Sequence, residues 1–190
     1  MRIILASGSP RRKELLERAG IRFEIIPAEG EEQITSTDPA EVVKNLSCQK
    51  ASEVAERIGE NDDLAVIGAD TIVSFEGKIL GKPETRGKAS DMLHMLNGKT
   101  NQVYTGVTLI IIKDGKKEKR TFCECTDVVF DQASDGEIEE YCASGEPMDK
   151  AGAYAIQGGW GPHVKEIRGD YDNVVGLPVT HLLKELEDVC

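Results

Sequence analysis

Apolar positions along the chain follow two periods, and the switches between them mark out the elements. Short apolar runs at residues 2–6, 64–68, 71–75, 78–80, 103–112 and 119–130 read as strands. Patterns repeating every three to four residues at 10–19, 39–58, 86–96, 135–143 and 178–187 read as helices. Glu76-Gly77 and Asp114-Gly115 lie between strand-like runs and predict hairpin turns. Strands that come both with helices between them and as adjacent hairpins predict an α/β fold with a central mixed sheet. No internal repeat, low-complexity segment or linker interrupts this order, so one domain over residues 1–190 is expected.

Two of the predicted helices break their own local rules. In ILASGSPRRKELLERAG, residues 4–20, Ser9 is the N-cap, Pro10 the first helical residue and Gly20 the stop signal. Arg11, Arg12 and Lys13 then fall in the first turn, at the positive end of the helix dipole, where acidic side chains are preferred. A small-residue turn feeding a helix N-terminus also exposes unpaired N–H groups, so the stretch reads as an anion site to which arginines add bidentate bonds. The alternative is a solvated basic turn, since each exposed charge costs only about 0.3–1 kcal/mol. The spacing G-x-x-x-x-G-K-[ST] of a Walker loop is absent. The second helix opens with Asp38-Pro39-Ala40-Glu41, a predicted capping box, and sets Val43, Lys50 and Val54 on nearly one line. Lys50, inside that apolar stripe, either snorkels out or reaches a buried anion.

Further polar residues stand out against apolar surroundings. Asp70 lies between the runs 64–68 and 71–75, where a carboxylate has to be solvated, paired or metal-bound. Lys82, between Gly81 and Pro83, returns across the hairpin, so a structural Asp70–Lys82 ion pair competes with a functional reading. The segment GEPMDKAGAYAIQGGWG, residues 145–161, surrounds Lys150, Tyr154 and Gln157 with glycine; it suits a close approach to ligand, or a plain surface loop. Glu29, Glu31 and Glu32 form an acidic cluster that is either solvated or, beside phosphate-binding cations, fit for a divalent ion. His94, His163 and His181 show no metal-ligand spacing.

Composition narrows the partners. The net charge of −11 argues against a nucleic-acid surface and for a small polyanion held in a local positive pocket. No apolar run approaches the roughly 20 residues of a membrane span, and no secretory signal is evident, so a cytoplasmic protein is expected. The five cysteines, including a Cys123-x-Cys125 pair and the terminal Cys190, read as free thiols of a reducing compartment.

Taken together and in order, LASGSPRRKELL, GADTIV, GKP, DKAGAYAIQG and NVVGLP resemble the Maf family of nucleoside triphosphate pyrophosphatases over essentially the whole chain. The resemblance implies the elongated inosine triphosphatase-like fold, with a cleft between two lobes. It also implies hydrolysis of a nucleoside triphosphate at the α–β bond with Mg²⁺ or Mn²⁺. By the same resemblance Asp70 is the catalytic proton acceptor, with Lys82 beside it, and Ser9, Arg12 and Lys50 bind phosphate. Glu32 joins Asp70 at the metal, and Arg11, Thr71 and Gln157 bear on the choice of base. AYAIQG is similar to the subgroup acting on dTTP and UTP, with modified pyrimidine nucleotides as further candidates. A homodimer is left open, and a nucleotide-binding regulator of septum formation is the alternative. Two spellings depart from the family's usual pattern: NLSCQKA around Lys50, and His163 where an apolar aromatic is common.

Overall fold

The computed structural model describes residues 1–59 and 63–187, so Cys190 lies outside the described residues. Among them, seven strands form one mixed sheet in the order β2-β1-β3-β5-β6-β7, with β4 paired to β3. β1 (Arg2–Leu5) runs parallel to β2 (Glu24–Ile25) and to β3 (Leu64–Phe75). β4 (Lys78–Leu80), β5 (Thr100–Lys113), β6 (Lys116–Phe130) and β7 (Val164–Arg168) add antiparallel pairs. The two predicted hairpins close at Glu76-Gly77 and Asp114-Gly115, where all four residues take positive φ.

Helices cover both faces. α1 (Pro10–Arg18), α5 (Tyr171–Val175) and α6 (Val179–Glu187) pack Leu15, Leu16, Val175, Leu182 and Leu186 against Leu5, Ile67, Val107 and Leu109. On the opposite face α2 (Pro39–Ile58) lays Ala51, Val54 and Ala55 on Ile4, Val66 and Ile110. Beyond these layers α3 (Arg86–Leu96) and α4 (Asp135–Ala143) enclose a further core around Phe130, Tyr154 and the fully buried Trp160. His163 packs on that tryptophan, with ring centroids 4.6 Å apart. None of the described helices is long and apolar enough to cross a membrane.

Several local expectations change in the fold. The runs 64–68 and 71–75 are one continuous strand, because β5 pairs with it from Leu64 to Ser74 straight through Gly68 and Asp70. Gly68 is no strand end; it is where α2 comes closest, and a Cβ there would overlap the Ser47 carbonyl. The capping box at Asp38 is only half made. Asp38 accepts the Glu41 N–H at 2.9 Å, but Ser36 Oγ already takes the Asp38 N–H and Glu41 turns to Lys44. A complete box forms instead at Ser134 and Glu137. β2, β7 and α5 have no counterpart in the sequence pattern.

Candidate active site

A gap in the sheet positions the site. β1 ends its pairing at Leu5–Ile67, and β4 begins its own only at Val73. Residues 68–72 of β3 therefore have no strand along that edge, and this notch holds Asp70 and Thr71. Backbone left at a sheet edge needs solvent, loop or ligand as its partner. The two-residue period of a strand turns these neighbours to opposite faces. Asp70 meets Lys50 of α2, and Thr71 meets Arg12 of α1.

The turn from β1 into α1 forms one bank of the notch. Ser9 is the N-cap of α1, as its sequence predicts, but its side chain makes no capping bond. The first main-chain bond of the helix runs from Lys13 N–H to Ser9 O, so the N–H groups of Arg11 and Arg12 have no intrahelical partner. The Arg12 guanidinium donates to Gly176 O at 2.8 Å, Ser7 Oγ at 3.0 Å and Thr71 Oγ1 at 3.1 Å. Proton directions beyond it are ordered: the Thr105 hydroxyl donates to Asn173 O, so Thr71 donates to Thr105 at 2.9 Å and accepts from Arg12. All three of Arg12's acceptors are neutral. Burial pushes the guanidinium below its usual range, Asp70 pulls it back, and neighbouring Arg11 works against it. Three of its five N–H groups are thus bonded, and the charge has no ion pair among the described residues.

The central carboxylate is paired through a lysine. Asp70 is 8% exposed, and Lys50 Nζ reaches its Oδ1 at 2.5 Å and Glu32 Oε1 at 2.7 Å. Of the two fates open to Lys50, the structure shows the buried anion. Asp70 Oδ2 has no partner among the described residues, and Lys82 makes no ion pair with it.

Lys82 belongs to the opposite bank. It follows the Leu80–Val73 pair by two residues, in the direction of Asp70, and is exposed without a bonded partner among the described residues. The Gly152 N–H donates to Gly81 O at 3.1 Å and ties the glycine-rich segment to this turn. Tyr154 anchors the same segment in the core by donating to Asn101 Oδ1 at 2.7 Å. Gln157, three residues on, is exposed in a turn with no bonded partner among the described residues. Arg11 looks across at Asp149, whose carboxyl is held below its usual range by Lys150 first and Arg11 further away.

The structure therefore forms two bonded groups, Glu32–Lys50–Asp70 on one face of β3 and Thr71–Arg12 on the other, joined only through the Asp70–Thr71 peptide, with Ser9 adjoining the second in the turn. Arg11, Lys82 and Gln157 are not bonded into either. Ser7, Thr105 and the Gly176 carbonyl also bond to Arg12 or Thr71; none stands out in the sequence as a site residue, though Ser7 and Gly176 lie within the quoted motifs. Ser7 and Thr105 are a small polar turn residue and a strand threonine, both commonplace. Gly176 is in NVVGLP and has φ 129°, with Arg12 Nε 3.7 Å from where its Cβ would be.

Comparison with known proteins agrees in extent. A dTTP/UTP pyrophosphatase of Agathobacter rectalis is 52% identical, covering 97% of this chain and 95% of that protein. A protein of the same description from Bacillus anthracis is also 52% identical, over 98% and 94% of the two chains. Among solved structures, a nucleoside-triphosphatase (dITP/XTP pyrophosphatase) of Mycobacterium abscessus overlaps 68% of this chain and 74% of its own. The TM-score is 0.40 at 14% identity, too loose an overlap to define the fold. The profile of the family described as Maf-like protein matches residues 2–189. An arginine-bearing helix N-terminus and a lysine-paired aspartate, set in a sheet notch by motifs that span the whole chain, are thus carried by a member of the Maf-like protein family.

Proposed function

We propose that this protein hydrolyses nucleoside triphosphates between the α- and β-phosphorus atoms, with dTTP and UTP as substrates and pyrophosphate and the monophosphate as products. The observation that carries this reading is Arg12, a fixed guanidinium with three neutral acceptors beside an uncapped helix N-terminus. That arrangement has directional order and unspent positive charge, which a polyphosphate supplies with oxygens. The names of the 52%-identical relatives support the same substrates.

Phosphate oxygens dock on the open N–H groups of α1, on the Ser9 hydroxyl and on Arg12, while Lys82 approaches from the other bank. Asp70 Oδ2 takes a proton from a water whose oxygen forms the new bond to the α-phosphorus. The bond from that phosphorus to the α–β bridging oxygen breaks, and pyrophosphate leaves with the electron pair. Lys82, Arg12 and Lys50 meet the charge that develops. Glu32 and Asp70 would hold Mg²⁺ or Mn²⁺. They fit such an ion, because their oxygens already converge on one cationic centre, Lys50 Nζ. Among the described residues no group of three or more His, Cys, Asp or Glu side chains comes together to hold a metal ion, so these two carboxylates are the protein's own candidate ligands. Once bound, the ion neutralises phosphate charge. Cys48, Cys123, Cys125 and Cys142 are free thiols, in keeping with a reducing cytoplasm.

A phosphate-release assay on UTP and dTTP with Mg²⁺ tests the reaction. Orthophosphate should be detected only when inorganic pyrophosphatase is added; its release without that enzyme would mean cleavage elsewhere and overturn the proposal. Asp70→Asn should lower kcat by roughly 10²–10⁴-fold while leaving nucleotide binding intact. Activity within about tenfold of the parent would remove Asp70 from the role of base.

A further inference from the structure

Residues 26–38 join β2 to α2 without regular secondary structure, and Glu32 is part of this segment. A connection of that length has no ladder of its own to hold it, so its main-chain groups must bond elsewhere. Five of them bond to one face of α2. Glu53 accepts the Glu29 N–H at 2.8 Å on one oxygen and the Gly30 N–H at 3.0 Å on the other. Gln49 closes a ring with Gln33, accepting its N–H at 3.0 Å and donating to its carbonyl at 2.8 Å. Arg57 donates to Pro27 O at 2.7 Å.

Gln49, Glu53 and Arg57 recur every fourth residue, which places them on one stripe of the helix, and Lys50 adjoins Gln49. Glu32 lies between the two clamped points, Gly30 and Gln33, and its carboxylate lands on Lys50. The approach is close enough that a Cβ on Gly30 would stand 2.9 Å from Glu53 Oε2. The two N–H bonds hold the Glu53 carboxyl below its usual range.

We propose that Glu53 and Gln49 are positioning residues for Glu32, fixing the 29–33 main chain to α2 so that the Glu32 carboxylate is presented to the phosphate and metal site. This rests on the role given to Glu32 above. The chemistry is specific at both points. The Glu29 and Gly30 N–H groups each bond a different oxygen of Glu53, and glutamine would set an NH₂ donor in one of those two places. An N–H and a C=O side by side need an amide, which donates and accepts at once.

The test uses Glu53→Gln, Gln49→Ala and Glu32→Gln in the full chain. Mn²⁺ binding is followed by electron paramagnetic resonance with α,β-methylene-UTP present, alongside hydrogen exchange at residues 29–33 and thermal melts. Glu53→Gln and Gln49→Ala should each weaken Mn²⁺ roughly 10- to 100-fold and speed exchange at 29–33, with the melt unchanged. Combining Glu53→Gln with Glu32→Gln should add nothing to Glu32→Gln alone. Wild-type Mn²⁺ affinity in both clamp variants, beside a weakened Glu32→Gln, would overturn the clamp alone. Full additivity in the double variant would also overturn it. Wild-type affinity in Glu32→Gln would remove the Glu32 role, and the clamp's function with it.

Discussion

Gln157 is held at a fixed distance from a buried anchor: Tyr154 is bonded to Asn101 in the core, and the amide projects from an exposed turn three residues on. Uracil and thymine present an N3–H donor flanked by carbonyl acceptors, and a carboxamide both donates to and accepts from that edge. A carboxylate there faces a carbonyl oxygen with no proton to offer. Gln157→Glu should therefore lower kcat/KM for dTTP and UTP by roughly 30- to 1000-fold, or about 2–4 kcal/mol, with little change for ATP. Kinetics on the three nucleotides decide the matter; an unchanged ranking would mean that Gln157 does not read the base. Thr71 is a different case, because its hydroxyl is committed to Arg12 on one side and Thr105 on the other. We propose that Thr71 bears on substrate choice only through the arginine it seats.

At the scale of elements, the decisive contact is α2 laid directly on the sheet. Gly106 of β5 pairs with Asp70, and a Cβ added to it would overlap the backbone of Val43; Gly68 of β3 stands in the same relation to Ser47. These glycines let the helix descend far enough for Lys50 to reach the strand. Gly106→Ala should cost about 1–3 kcal/mol by overpacking, a fall of roughly 2–12 °C in Tm. Gly136 in α4 has open space around it and no positive φ. Gly136→Ala should accordingly stabilise by about 0.4–1 kcal/mol. Thermal melts of the two variants read the contrast, and a Gly106→Ala melt at or above the parent would show that the close approach is not a constraint.

Over the whole molecule, charge sets the response to pH. The chain carries a net charge of −11, and its exposed carboxylates titrate against a few well-placed partners. His94, on α3, is raised above its ordinary range chiefly by the Ser90 carbonyl and also by Asp135, the first residue of α4. A raised folded-state pKa stabilises most fully below the unfolded value, near 6.5, and the contribution is lost as pH rises through the folded value. Glu137, lowered by its bonds to Ser134, behaves in the opposite sense: its contribution is present above the ordinary carboxylate range, near 4.3, and is lost on acidification. The Tm deficit of His94→Ala should thus be larger at pH 5.5 than at pH 8.5. A deficit that grows with pH would contradict this linkage.

What the chain determines by itself is what neighbouring residues decide among themselves. The bounds of α2, α3 and α4 and the two hairpin turns follow from caps, periodicity and glycine, all encoded within a turn or so of helix or strand. Arg11 to Lys13 in a first helical turn, Lys50 in an apolar stripe and Asp70 between apolar runs were likewise legible as residues that break a local preference. Their partners were not. That β3 continues through Gly68 and Asp70 depends on pairing with β5 more than thirty residues away in sequence. The two-residue β2 and the edge strand β7 are too short or too polar to show a period, and exist through the strands they join. The Asp38 box is half made because Ser36 and Lys44 compete for its members. Lys50, and not Lys82, pairs with Asp70 because the glycine-permitted descent of α2 brings it within bonding distance, and Arg12 meets Gly176 across more than 160 residues of chain. Distance along the chain says nothing of such meetings; only the assembled sheet, with its notch between β1 and β4, makes them.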